Sequence, residues 1–61
     1  MGFGRLTLEE VCKKNSISVD IALRKLSKMG IEAKPQDKIR TIANNGNTTP
    51  SELIESFNDL Q

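Results

Sequence analysis

"NSISVDIALRKL", residues 15 to 26, has the pattern of a tight turn followed by an amphipathic helix, as in a helix-turn-helix unit. A second stretch, "GNTTPSELIESF", residues 46 to 57, repeats its apolar spacing 31 positions later but lacks its basic side chains. A short hairpin of this kind cannot bury its apolar stripe alone. The sequence therefore predicts an all-α domain in which four short helices form two repeated helix-turn-helix hairpins packed on one core.

The repeat extends beyond these two stretches when the whole chain is shifted by 31 positions. The aligned pairs are Leu8 with Ile39, Val11 with Ile42, Cys12 with Ala43, Asn15 with Gly46, Ser18 with Thr49, Ala22 with Leu53, Leu23 with Ile54 and Leu26 with Phe57. This alignment predicts that Leu23 and Ile54 are both buried between the hairpins. It also predicts a left-handed residue at Asn15 or its immediate neighbour, since Asn is the usual substitute for Gly in that conformation.

Local signals place the helices of the first hairpin. Thr7 and Glu10 form a capping-box pattern, so the first helix is expected to begin at about Leu8. Ser18 is a suitable N-cap and Gly30 a suitable stop for the second helix. The inner stripe expected for that helix is Val19, Ala22, Leu23, Leu26 and Met29.

A linker, "IEAKPQD" at residues 31 to 37, precedes the second hairpin. Asp37 is expected to cap the third helix, whose inner residues are Ile39, Ile42 and Ala43. The fourth helix has the clearest start, with Thr49 as N-cap, Pro50 at the first helical position and Glu52 closing the capping box. Its predicted buried side consists of Leu53, Ile54, Phe57 and Leu60.

Length and composition indicate one small globular domain. The 61 residues are divided into an N-terminal tether (1–6), a first hairpin (7–30), the linker (31–37) and a second hairpin (38–61). The 28% of charged residues fits a soluble chain, and no apolar run approaches the roughly 20 residues that cross a bilayer. We therefore expect a cytoplasmic module.

Several chemistries are disfavoured by the residues present. The chain has no histidine and one cysteine, Cys12, which shares a helical face with Leu8 and Val11 and is therefore expected in the core. No nucleotide-binding glycine motif occurs. We expect a non-enzymatic protein with no metal site and no cofactor.

The outer face of the second helix is the candidate site. It carries Ile21, Arg24, Lys25 and Lys28, in a half of the chain (residues 1–34) whose net charge is +3 against −2 for residues 35–61. One interpretation is an ordinary solvated face. A second is a docking face for a protein, either an acidic surface or another copy of the chain, with weak dimerisation. DNA or RNA binding by a helix-turn-helix is the alternative, against which Asp20 near the start of the helix argues.

The stretches "GFGRLTLEEVC", "GIEAKPQDKIRTIA" and "TPSELIE" resemble a small tandem helix-turn-helix module of unknown function. That module is found at the C-termini of short membrane cytochrome b-like proteins of anaerobic microbes and as free-standing small proteins. The opening G-x-G-R-x-T-L-x-x-[VI]-C corresponds here to Gly2, Gly4, Arg5, Thr7, Leu8, Val11 and Cys12. The resemblance implies no haem ligand in this chain and makes a membrane protein a possible partner. The chain has "NSIS" where a glycine-containing turn is usual.

Overall fold

Thr7 opens the first helix of the computed structural model, which describes the backbone of residues 3–60 and the side chains of residues 4–58. The Thr7 hydroxyl oxygen accepts a hydrogen bond from the Glu10 N–H at 3.2 Å, and the Thr7 N–H donates to the Glu10 carboxylate at 2.8 Å. The predicted capping box is therefore confirmed. The backbone N–H of Thr7, followed by its hydroxyl, stabilises the charged carboxylate and lowers the pKa of Glu10.

The described residues form four α-helices, which confirms the predicted all-α class. These are α1 (Leu8–Lys14), α2 (Val19–Lys28), α3 (Ile39–Asn45) and α4 (Pro50–Ser56), with the short 3-10 turns η1 (Phe3–Arg5) and η2 (Phe57–Leu60) at the two ends. Under the shift of 31 positions, α1 and α3 coincide residue for residue, and α2 and α4 begin at equivalent positions. The two hairpins predicted from the sequence are therefore present in the structure.

The apolar pairs of the repeat form one core. The buried hydrophobic residues are Leu8, Val11, Cys12, Ile17, Ala22, Leu26, Ile31, Ile39, Ile42, Ala43, Leu53 and Phe57. Leu23 and Ile54 pack against this core but are only half-buried, so the prediction that both are buried between the hairpins is wrong in degree. Each lies at the edge of its helix's inner stripe. The predicted burial of Leu60 concerns a side chain outside the described residues.

The two helices of the second hairpin, α3 and α4, begin in different ways. The Thr49 hydroxyl accepts from the Glu52 N–H at 3.2 Å, which confirms the predicted N-cap of α4. The predicted capping box is not closed, because the Glu52 carboxylate accepts from the Thr49 hydroxyl at 3.1 Å and not from the Thr49 N–H. Asp37, predicted to cap α3, does not do so, because Lys38 is the N-cap residue. The Asp37 carboxylate instead accepts from the Lys34 N–H at 2.9 Å, which closes the turn that contains Pro35.

The first hairpin also departs from the sequence pattern at two points of α2. Ser18 is the N-cap residue, but its hydroxyl makes no capping hydrogen bond. Met29, predicted on the inner stripe, is 45% exposed. The chain reverses at Gly30, and Ile31 folds back so that its N–H donates to the Leu26 carbonyl at 2.8 Å. Ile31 therefore covers the end of the core in place of Met29.

A left-handed residue ends each of the first three α-helices. Ser16, Gly30 and Asn47 have φ values of 57°, 82° and 58°, and in each case the following N–H bonds back into the last turn in a Schellman motif. Ser16 and Asn47 are repeat equivalents, so the prediction of a left-handed residue at Asn15 or its neighbour is confirmed at the neighbour.

Gly46 is not left-handed, since its φ is −93°. A close approach explains the glycine instead. A Cβ atom at Gly46 would overlap the Cδ1 atom of Ile31 and would lie 2.8 Å from its Cγ1 atom. The absence of a side chain at Gly46 therefore lets the linker residue Ile31 pack directly on the end of α3.

The two hairpins meet through an antiparallel bridge between Thr7 and Lys38, which are themselves repeat equivalents. The Leu8 N–H donates to the Asp37 carbonyl at 2.9 Å, and the Ile39 N–H donates to the Leu6 carbonyl at 2.8 Å. The two hydrogen bonds are equivalent in the repeat, since the shift of 31 positions places Leu8 on Ile39 and Leu6 on Asp37. The hairpins are therefore related by an approximate two-fold axis at the bridge, which positions α2 and α4 as equivalent outer helices.

We expect Ser16→Gly to stabilise the protein by about 1 kcal/mol, because a left-handed φ costs roughly that much for a residue with a Cβ atom. The melting temperature should rise by roughly 4 to 8 °C, as expected for a domain of this size. Ser16→Val should lower it.

Asn15→Gly is the matched control one position earlier. Asn15 has a φ of −106°, and its side-chain amide donates to the Val11 carbonyl at 2.9 Å. This change should destabilise the domain by about 1 kcal/mol. If Asn15→Gly were the stabilising variant and Ser16→Gly the destabilising one, the assignment of the left-handed residue would be incorrect.

Candidate functional site

α2 carries the four residues predicted to dock a partner, and the structure places them on one side of the helix. Ile21, Arg24 and Lys28 are exposed, and Lys25 is half-buried. Their spacing along the helix puts them on a common face, away from the buried stripe that contacts the core. We call these four residues the basic face.

Two apolar side chains accompany the cations. Ile21 and Met29, at 46% and 45% exposure, are the large hydrophobic side chains left exposed in the described part of the chain. Lys25 lies four residues from each of them, so the three side chains form a row along α2. The sequence pattern missed Met29 because its spacing fits the inner stripe. The stop at Gly30 followed by apolar Ile31 was the signal that could have revealed it.

The repeat-equivalent face of α4 has the opposite charge. Glu52 and Glu55, both exposed, occupy the positions that Ile21 and Arg24 occupy on α2. Glu52 also accepts hydrogen bonds from the Thr48 and Thr49 hydroxyl groups at 3.2 and 3.1 Å. The two outer helices thus present equivalent backbones with different chemistry. We call Glu52 and Glu55 the acidic face.

A shallow groove of about 390 Å³ runs between α2 and the linker. Its lining includes Leu23 and Ser27 from α2 and Ile31, Ala33 and Lys34 from the linker. Sites for small molecules bury most of the ligand surface and converge a few polar groups on it. This groove is open to solvent, and of its two carboxylates, Glu32 and Asp37, the second is already bonded to the Lys34 N–H.

The interior offers an apolar environment to its one thiol. No polar or charged side chain is buried among residues 4–58, and Cys12 is fully buried. Burial raises the pKa of the Cys12 thiol and keeps it protonated near neutral pH, which is the opposite of an activated nucleophile. No group of three or more His, Cys, Asp or Glu residues within this range is arranged to hold a metal ion.

The helices of the described range are all too short, and insufficiently apolar, to cross a membrane. Comparison with models of known families, with curated proteins and with solved structures finds no match to this chain. The candidate site is therefore defined by the geometry of the basic face itself.

We expect Ile21→Asp to change the free energy of unfolding by no more than about 0.5 kcal/mol, because the side chain lies on the outer face of α2. Leu26→Ala, on the inner stripe of the same helix, should cost about 2 to 5 kcal/mol, which is enough to unfold a small domain. Thermal or urea denaturation of both variants checks the orientation of α2. Comparable losses in the two variants would contradict it.

Cys12 should react with a thiol reagent only as fast as the domain opens, and its modification should track unfolding. Because the folded-state pKa is raised, the contribution of the thiol to stability is present below its unfolded pKa of about 8.5 and is lost as the pH rises through the folded value. Cys12→Ala, which copies the equivalent Ala43, should abolish this alkaline loss. Rapid modification of the folded protein would contradict the assignment.

Proposed function

We propose that this chain is a non-enzymatic helical interaction module that docks an acidic protein surface through the outer face of α2. The observation that carries the proposal is the exposure of Ile21 and Met29 on the same side of a helix that also presents Arg24 and Lys28. The proposal keeps the cytoplasmic setting expected from the sequence. The resemblance to modules attached to membrane cytochrome b-like proteins suggests a membrane protein as one form of the acidic partner.

The arrangement of the face supports protein docking. Interfaces between proteins combine apolar anchors that lose their water with a polar rim that selects the partner. Ile21 and Met29 supply the anchors, and the half-buried Lys25 lies between them, four residues from each. Arg24 and Lys28 flank this row with positive charge, which favours an acidic surface and disfavours a basic one.

Nucleic acid fits the same face less well. In a helix-turn-helix, the first turn of the recognition helix approaches phosphates and base edges. Here the first turns of both outer helices carry an exposed acid, Asp20 in α2 and Glu52 in α4. The formal net charge of the chain is only +1, which gives little counterion release on a duplex. These charges favour a protein partner.

The proposal assigns the chain no catalytic role. Its thiol lies protonated in the apolar core, and the charged side chains of the described range are not buried in a shared pocket. Catalytic groups are ordinarily found where burial or neighbouring charges shift their pKa toward the working pH. The exposed apolar and basic side chains of the α2 face are better explained by a role in binding.

Capture from native cell extract on the immobilised chain tests the proposal. Ile21→Asp and Arg24→Glu should each release the bound protein, with a loss of affinity of about 30-fold or more at Ile21, corresponding to roughly 2 kcal/mol for an interface anchor. Arg40→Glu is the matched control, since it reverses one exposed charge on α3, outside the basic face. It should leave capture unchanged.

The identity and salt dependence of the retained material separate the alternatives. An acidic protein that is lost with the two α2 variants and kept with Arg40→Glu supports docking. Recovery of nucleic acid, with an affinity that falls on a log-log plot by about 0.9 per phosphate contacted, would establish the helix-turn-helix alternative instead. Retention that is indifferent to all three substitutions would refute a role for the basic face.

A further inference from the structure

The two-fold relation between the hairpins turns the outer sides of α2 and α4 into equivalent surfaces with opposite charge. The shift of 31 positions places Glu52 on Ile21, Glu55 on Arg24, Ser56 on Lys25 and Asp59 on Lys28. Arg24 and Lys28 are exposed on the first surface, and Glu52 and Glu55 are exposed on the second. Asp59, the repeat equivalent of Lys28, is also acidic but follows the end of α4. One molecule therefore presents both halves of a complementary pair.

The charge of the whole chain follows the same division. Residues 1–34 carry a net charge of +3 and residues 35–61 a net charge of −2. Because no charged side chain of residues 4–58 is buried, the charges in that range act at the surface, where they can meet a neighbouring molecule. A protein with opposite charges on two faces attracts copies of itself in one orientation and repels them in the others.

We propose that the acidic surface docked by the basic face is the α4 face of a second copy of this chain. This inference rests on the proposed function and specifies its partner. Arg24 and Lys28 of one copy pair with Glu52 and Glu55 of the next, and the apolar row of Ile21 and Met29 is covered in the contact. Since the two surfaces differ, the contact is heterologous.

The size of the domain limits the strength of this contact. The molecule measures 27 × 23 × 19 Å, so one outer helix presents less than the roughly 800 Å² that each partner contributes to a stable interface. The association is therefore transient and is populated at high protein concentration. Because it depends on exposed charges, 1 M salt should weaken it by screening them over a Debye length of about 3 Å.

Complementary charge reversal tests the proposal on the purified full chain. Arg24→Glu with Lys28→Glu makes both outer faces acidic. Glu52→Gln with Glu55→Lys neutralises and reverses the other face, and the glutamine retains a hydrogen-bond acceptor for the Thr48 and Thr49 hydroxyl groups. Circular dichroism confirms folding of each variant, and Glu55→Lys alone replaces the second variant if that variant unfolds. Sedimentation velocity at millimolar concentration measures association.

The expected result is association of the wild-type chain, none for either variant alone, and restored association when the two variants are mixed. Association of the wild-type chain should also be lost with Ile21→Asp and kept with Arg40→Glu. A monomeric wild-type chain at millimolar concentration, or a mixture that behaves like its separate components, would overturn self-docking. If the extract experiment still yielded a foreign acidic protein dependent on Ile21, the proposed function would stand while this choice of partner failed.

Discussion

The backbone bridge between Thr7 and Lys38 is the constraint on which the rest of this small fold depends. The first N–H groups of a helix have no acceptor within that helix. Here the segment before each hairpin supplies a carbonyl acceptor to the other hairpin: the Leu6 carbonyl accepts from the first residue of α3, and the Asp37 carbonyl accepts from the first residue of α1. This reciprocal pairing fixes the position of both hairpins at once. It also explains how α3 begins without a side-chain cap, since the Leu6 carbonyl satisfies its first donor.

Most of the fold could be predicted from short local patterns in the sequence. Helix starts at Thr7 and Thr49 depend on side chains three residues apart, and the stop at Gly30 depends on one residue, so tertiary contacts do not alter them. The partial burial of Leu23 depends instead on how distant segments pack against α2. The role of Asp37 is local, but two local patterns compete there: its carboxylate bonds to the Lys34 N–H three residues earlier and does not cap α3.

The candidate site shows the same division. Helical spacing alone was sufficient to place the four residues of the basic face together, because α2 is a regular helix with a clear inner stripe. Met29 was assigned to the wrong side, since its exposure depends on Ile31 returning to cover the core. The outer positions of the repeat are not held by packing, which explains how they carry cations on α2 and carboxylates on α4 while the inner positions stay apolar.

The linker of residues 31–37 has a consequence for how this core can assemble. Two hairpins that meet through equivalent residues have the geometry of a symmetric dimer, and as separate molecules they would be held together only in proportion to their concentration. A short tether replaces that concentration with an effective one on the order of millimolar. The two hairpins are therefore always close to each other. The core forms by closure of one loop within a single chain, so its formation does not depend on protein concentration.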